Sequence, residues 1–150
     1  MSTDRDPGRS YLEELKARGR EGNPFFLLMG IDVARMGDGE AALEMPVRPD
    51  MHNGLGWLQG GVLVALADEA MALALYTTLD ENQQIATVSE STSFLKGTRD
   101  GALQAIGRVV KRGRRVAFTE AEVRRDGEVL SRTTAVFALL GSRISEAPRP

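Results

Sequence analysis

Asp68 and Glu69 are the only charged residues in the stretch 61–79, which is otherwise built from Ala, Leu, Val, Met, Thr, Tyr and a leading Gly. An ionised carboxylate buried without a partner is very costly. At least one of the two must therefore reach a polar cavity, a subunit interface or water. A carboxylate so placed can take a proton from water or attack a carbonyl carbon itself. Adjacent helix residues point about 100° apart, so the two are not expected to share one role. The plainer alternative is a wet helix flank that solvates both.

Gly60-Gly61 precedes that stretch. With no side chain to block approach, two backbone N–H groups stand open at a helix start, where the helix dipole favours developing negative charge. A carbonyl polarised at Gly60 leaves space for a water or an attacking carboxylate near Asp68, about two turns on. The plain alternative is a tight entry from loop to helix. Residues 54–59 approach a GxGxxG fingerprint, but Gln59 fills the last glycine position, and a loop after Pro49 stands where a strand is needed. Dinucleotide binding is discounted on both grounds. The single histidine, His52, lies in the same loop, and there is no cysteine. A cysteine nucleophile, a disulfide and a histidine-only metal site within one chain are thereby excluded. Any Ser-His-Asp triad would have to use His52.

Charge is uneven along the chain. Twenty-one acids and 19 bases give a net charge of −2, and hydrophobic and charged residues make up 42% and 27% of 150 residues. That is the mix of one globular domain, with no global reason to bind nucleic acid. Residues 96–115 nevertheless carry Lys96, Arg99, Arg108, Lys111, Arg112, Arg114 and Arg115 against Asp100 alone. Arg112-Gly113-Arg114-Arg115 lies at a turn, where side chains can converge on phosphates; a solvated hairpin tip is the alternative. No aromatic residue alternates with these bases, which argues against single-stranded nucleic acid. The first ten residues have no apolar run, so no secretory signal is expected. Asp68 and Glu69 interrupt the one apolar stretch long enough to suggest a membrane span, and a central Asp alone costs roughly 2.5–3.5 kcal/mol there. A cytoplasmic protein without a membrane segment is the expectation.

The elements that must hold these residues read as follows. Residues 1–9 form a loose tail, and Ser10 caps a short helix over 11–19. Residues 31–36 and 40–47 are strands around the Gly37-Asp38-Gly39 turn. Residues 62–79, entered through Gly60-Gly61, form a helix apolar on nearly every side, hence buried. Strands follow over 85–95, 102–111, 115–124 and 128–140, and Asp126-Gly127 is a strong hairpin signal. Successive hairpins make an antiparallel sheet. One sheet covers only part of such a helix, so the reading is α+β: a long curved antiparallel sheet wrapped around a central helix and paired with a second subunit. Residues 142–150 form a second loose tail.

Asn53-x-x-Gly56-x-x-Gln59-Gly60-Gly61, followed after six residues by Asp68-Glu69-Ala70, resembles the signature of hotdog-fold acyl-CoA thioesterases of the phenylacetic-acid-pathway (PaaI-like) type. Thr87-Val88-Ser89, Phe94-Leu95-Lys96-Gly97 and residues 113–118 resemble the family's later strand and hairpin segments in the same order. The likeness runs over residues 25–140. It implies a hotdog domain over 23–141, with 1–22 a tail and short helix. It implies Asp68 as the carboxylate that activates water or attacks the thioester, and the Gly60 N–H as the group that polarises its carbonyl. Asn53 would place the carboxylate or water, and Thr87 would reach in from the neighbouring subunit. Gln59 stands where many members carry histidine; it can hydrogen-bond the thioester but is no proton donor of useful pKa. Glu69 keeps a lesser claim, since some hotdog thioesterases use a helix glutamate. Lys96, Arg112 and Arg114, with Gly113 at their turn, would meet the CoA phosphates. Gly61, Trp57 and Phe94 would line the pocket, although the two aromatic rings equally suit a core.

The resemblance further implies a homodimer or a dimer of dimers (a homotetramer), with sites at the dimer interface. It implies no cofactor and no metal, the CoA thioester being the substrate. The activity expected is hydrolysis of an acyl- or aroyl-CoA. The alternative is a hotdog protein that binds acyl-CoA without cleaving it, as a carrier or ligand sensor. A hotdog dehydratase would use a histidine paired with a carboxylate, and His52 precedes the helix.

Overall fold

The computed structural model describes residues 10–141, so the tails expected at 1–9 and 142–150 lie outside the described residues. Helix α1, Tyr11–Arg18, begins at a reciprocal cap: the Glu13 N–H donates to Ser10 Oγ and the Ser10 N–H to Glu13 Oε2. Leu15 of α1 is buried in the main core, and Tyr11 meets Tyr76 edge to face at 5.1 Å. A second helix, α2 (Pro24–Met29), occupies an apolar run that the sequence reading left unassigned. Asn23 Oδ1 accepts the N–H groups of Phe25 and Phe26, Pro24 fills the first turn, and Gly30 ends the helix in the left-handed conformation.

Strands β1 (Asp32–Gly37) and β2 (Glu40–Pro46) form the expected hairpin. The central helix α3 spans Gly60–Tyr76 and is shorter than read from its apolar run. Thr77 and Thr78 turn their hydroxyls back onto the Ala74 and Leu75 carbonyls, and Thr77 Oγ1 accepts the Gly39 N–H. These side chains satisfy helix-end carbonyls that another turn would have used. Strands β3 (Gln84–Phe94), β4 (Ala102–Arg112), β5 (Val116–Arg125) and β6 (Glu128–Leu140) follow, within a residue of expectation at each end.

The six strands form one antiparallel sheet in the order β1-β2-β4-β5-β6-β3. Their inward side chains, among them Leu43, Leu103, Val123 and Phe137, enclose Leu66, Ala70, Met71 and Leu73 of α3. Gly107 on β4 sets the closest approach. A Cβ there would lie 2.5 Å from the Ala70 carbonyl carbon, a contact real Cβ atoms do not make. This is the expected curved sheet on a central helix. One chain leaves one face of α3 partly uncovered, where Val62, Ala65, Asp68, Glu69 and Ala72 are half-buried, with Asp68 and Glu69 toward opposite edges of that face.

Candidate active site

The α3 N-terminus is open to a ligand. Gln59 occupies the cap position without a side-chain cap, and among the described residues no acceptor meets the N–H groups of Gly60 and Gly61. Such unpaired donors at a positive helix end suit a developing oxyanion. The Gln59 carboxamide folds over Gly61, where a Cβ would lie 2.6 Å from Gln59 Oε1. The Phe94 ring, itself 57% exposed, lies over Gly60, with Cε1 3.2 Å from where a Cβ would stand. Glycines at both positions let a backbone donor, an amide side chain and a ring share this corner without crowding.

The preceding loop is held by its own polar groups. Asn53 Oδ1 accepts the N–H groups of Leu55 (2.9 Å) and Trp57 (3.1 Å), leaving Nδ2 as the Asn53 group able to reach outward. His52 Nε2 donates to the Arg99 carbonyl at 2.6 Å, and the Leu58 N–H donates to the Thr98 carbonyl. Trp57 packs against Gly97 and carries the Arg99 guanidinium 4.2 Å from its ring centroid. His52 therefore pins the loop to the segment before β4, and Trp57 stands at the surface, outside the core.

Asp68 lies farther along α3, facing β3. The Thr87 hydroxyl donates to Asp68 Oδ1 at 3.0 Å, and both residues belong to the same chain. The expectation that Thr87 reaches Asp68 from a neighbouring subunit is corrected on this point: β3 flanks α3 of its own chain. A residue the sequence reading missed completes the cluster. Glu90 of β3 faces Asp68 closely enough that each carboxyl shifts the other's pKa. Its Oε2 is buried and meets no N–H or O–H among the described residues. Burial raises the Asp68 pKa above the usual carboxylate range, and the bonds from Thr87 and Glu90 pull partly against that rise. Burial, then the Asp68 charge and the shared bond, push Glu90 up to about 7. Glu69 points to the other edge of the same helix face, 100° round from Asp68, and burial followed by the Asp68 charge pushes it up to about 7.

A bulge explains how Thr87 and Glu90 come together. Thr87 pairs with Phe137, but Ser89 pairs with Val136, so Val88 is an extra residue in β3. Side chains alternate along a strand, so residues three apart normally face opposite ways. With one residue looped out, Glu90 falls opposite Ala135, and Thr87 and Glu90 both face α3 beside the buried Phe137 and Ala135. A register shift of this kind leaves no mark in apolar alternation.

The other expected residues divide in space. Gly60 and Asp68 are eight helical residues apart, about 12 Å at 1.5 Å each. One chain therefore cannot present both to the same carbonyl, contrary to the reading that places them together. The basic segment is also split. Lys96 binds Glu128 at 2.8 Å, and its N–H bonds to the Leu130 carbonyl. At the other end of the sheet, Arg112 donates to Gln83 Oε1, and the Gly113 N–H bonds to the Val116 carbonyl beside the exposed Arg114. Val116 pairs with Ala138, eight residues from Leu130 along β6, or about 26 Å at strand rise. Lys96 and the Arg112–Arg114 turn cannot grip one phosphate group within one chain.

Comparison with known proteins agrees with this architecture. The family model described as the thioesterase superfamily matches residues 55–131, just over half the chain. The Pseudomonas aeruginosa protein PA1618 is 32% identical over 104 residues, 69% of this chain and 70% of that one. The proofreading thioesterase EntH of Cronobacter turicensis is 29% identical over 86 residues, 57% of this chain and 63% of that one. Among solved structures, the phenylacetic acid degradation protein PaaI of Thermus thermophilus superposes with a TM-score of 0.73 at 28% identity, covering 79% of this chain and 100% of that one. No helix among the described residues is long and apolar enough to cross a membrane. The matched stretch runs from the α3 entry loop into β6 and contains Gln59, Gly60, Asp68, Thr87 and Glu90, so the chain belongs to the thioesterase superfamily, as a hotdog-fold thioester hydrolase of the PaaI-like kind.

Proposed function

We propose that this protein hydrolyses an acyl- or aroyl-CoA thioester to the free acid and CoA, with Asp68 as general base or nucleophile. The observation that carries the reading is the Asp68 carboxylate, held by Thr87 at 3.0 Å on an uncovered flank of an otherwise apolar helix. In the general-base route, Asp68 takes a proton from a water as its oxygen adds to the thioester carbon. The carbonyl oxygen becomes an oxyanion facing the Gly60 N–H, with Gly61 beside it. Collapse of the adduct breaks the C–S bond, and the departing thiolate takes up the proton held by Asp68. In the nucleophilic route, Asp68 itself adds, CoA thiolate leaves, and water hydrolyses the resulting anhydride. A thiol of pKa near ~8.5 leaves readily without a strong acid, so Gln59 suffices to hydrogen-bond the thioester, and Asn53 Nδ2 is the group that orients the water.

Reacting groups must stand about 3–3.5 Å apart, and the Gly60 to Asp68 spacing along α3 is several times that. The site is therefore read as shared, with Gly60 of one copy meeting Asp68 of another in a homodimer. Strand β3 supports this assembly. It is an eleven-residue edge strand with an unpaired outer side, and Val88 is 63% exposed. Such a dimer also gives Lys96 of one copy and the Arg112–Gly113–Arg114 turn of the other a route to one CoA, which neither chain has alone. Trp57 and Phe94 then wall the approach to Gly60.

A thiol-release screen with acetyl-, octanoyl-, palmitoyl- and benzoyl-CoA tests the proposal. Release with at least one ester, saturable and absent in Asp68→Asn, is the expected result. Tight binding of an ester with no free thiol from any would instead identify a carrier or ligand sensor.

A further inference from the structure

We propose that Glu90 is a positioning residue of this site: it holds a proton against Asp68 and keeps the base ionised and aimed. The inference rests on the reading of Asp68 as the base, and three observations beyond that reading carry it. The Val88 bulge, with its two-against-one register opposite Phe137 and Val136, turns Glu90 onto the same face as Thr87. The Glu90 carboxyl faces Asp68 from β3, and its buried Oε2 meets no N–H or O–H among the described residues. Two carboxyls in that relation cannot both ionise without cost, so the pair retains one proton.

The side that keeps the proton follows from the neighbours. Asp68 accepts from the Thr87 hydroxyl, a bond that favours its charged form. Glu90 has no such donor among the described residues, so it is the proton holder and becomes a second O–H donor to Asp68. Within the pair each carboxyl acts on the other; the next titratable group on α3 is Glu69, which feels the Asp68 charge and whose own charge is felt by Tyr11. The active form is the monoanion. With both carboxyls protonated there is no base. With both ionised, Asp68 loses a tether, and a second negative charge opposes the oxyanion that forms in the adduct. Glu90 leaves its ordinary range for about 7, so the second ionisation falls within an accessible pH range.

The experiment is the pH dependence of kcat/KM from about pH 5 to 9. It is read by loss of thioester absorbance on whichever of acetyl-, octanoyl-, palmitoyl- or benzoyl-CoA the full-length protein cleaves fastest. The parent should give a bell. In Glu90→Gln an amide N–H still donates to Asp68 but cannot ionise. That variant should keep kcat within about threefold at the optimum and lose the alkaline limb. Glu90→Ala should lower kcat about tenfold with KM within about twofold. Glu69→Gln should keep the bell. A Glu90→Gln profile with the parent's alkaline limb, or equal kcat in Glu90→Ala and Glu90→Gln, overturns the assignment. Should Glu90→Ala not fold, the Glu90→Gln profile decides alone. Asp68→Asn separates the two claims. A dead Asp68→Asn beside an unchanged Glu90→Gln profile removes only the Glu90 inference, whereas an Asp68→Asn as active as the parent removes the reading beneath it.

Discussion

Thr87 donates its hydroxyl to Asp68 Oδ1 across 3.0 Å, and both side chains come from one chain. Strand β3 thereby directs a carboxylate carried by α3 and pulls its pKa down against the larger effect of burial. A hydrogen bond to an ionised acceptor favours the charged form, so the Thr87 bond opposes part of the rise that burial imposes on Asp68.

Thr87→Val keeps the volume and removes the donor. Its kcat should fall about tenfold with KM within about twofold, because the loss falls on the base and spares the binding surface. The acid limb of the pH profile should move upward, since one of the bonds that hold the Asp68 pKa down is gone. An acid limb that stays in place would show that Thr87 does not act on the Asp68 charge. Steady-state kinetics across pH checks both.

Gly107→Ala tests the packing of helix on sheet. Its new Cβ would stand 2.5 Å from the Ala70 carbonyl carbon, against backbone that cannot rotate away. Overpacking of this kind costs about 1–3 kcal/mol. Urea unfolding should show a lower midpoint with an unchanged slope. A midpoint equal to the parent's would mean that α3 lies farther from β4 than described.

Glu69 predicts a pH dependence of stability. Its carboxyl rises on folding from 4.5 to about 7, chiefly through burial. The folded chain therefore holds more protons than the unfolded chain between those values, and stability falls as pH rises through that window. Below it the contribution is fully present; above it the contribution is lost. Glu69→Gln should flatten the slope of Tm against pH and raise Tm at pH 8 by a few degrees, about what 1 kcal/mol gives in a domain of this size. Parallel Tm curves for parent and variant would contradict the burial of a charged Glu69.

Much of this molecule was legible from local chemistry. Ser10 announced the α1 cap, and Asp126-Gly127 the last hairpin, where both residues take positive φ. The uniform greasiness of residues 62–79 announced a buried helix, and Asp68 and Glu69 fell on opposite edges of its one half-buried face, as their 100° separation demands. Legibility failed where long-range pairing decides. The Asn23-Pro24 and Gly30 signals for α2 flank a run so apolar that its length alone did not choose between strand and helix. The facing of Glu90 depends on a bulge whose cause lies in the pairing of β3 with β6, and no spacing within β3 reveals it. Sequence proximity also misled for the bases between Lys96 and Arg115, because a long strand carries the two ends of that segment to opposite ends of the sheet.

The most direct test of the account is turnover by Asp68→Asn on the best CoA ester, beside the affinity of the same variant for that ester. Asn keeps the shape and one hydrogen-bond acceptor but cannot take a proton or attack. The account predicts a kcat lower by about a thousandfold with ester affinity within about threefold. Turnover at the parent's rate would contradict it.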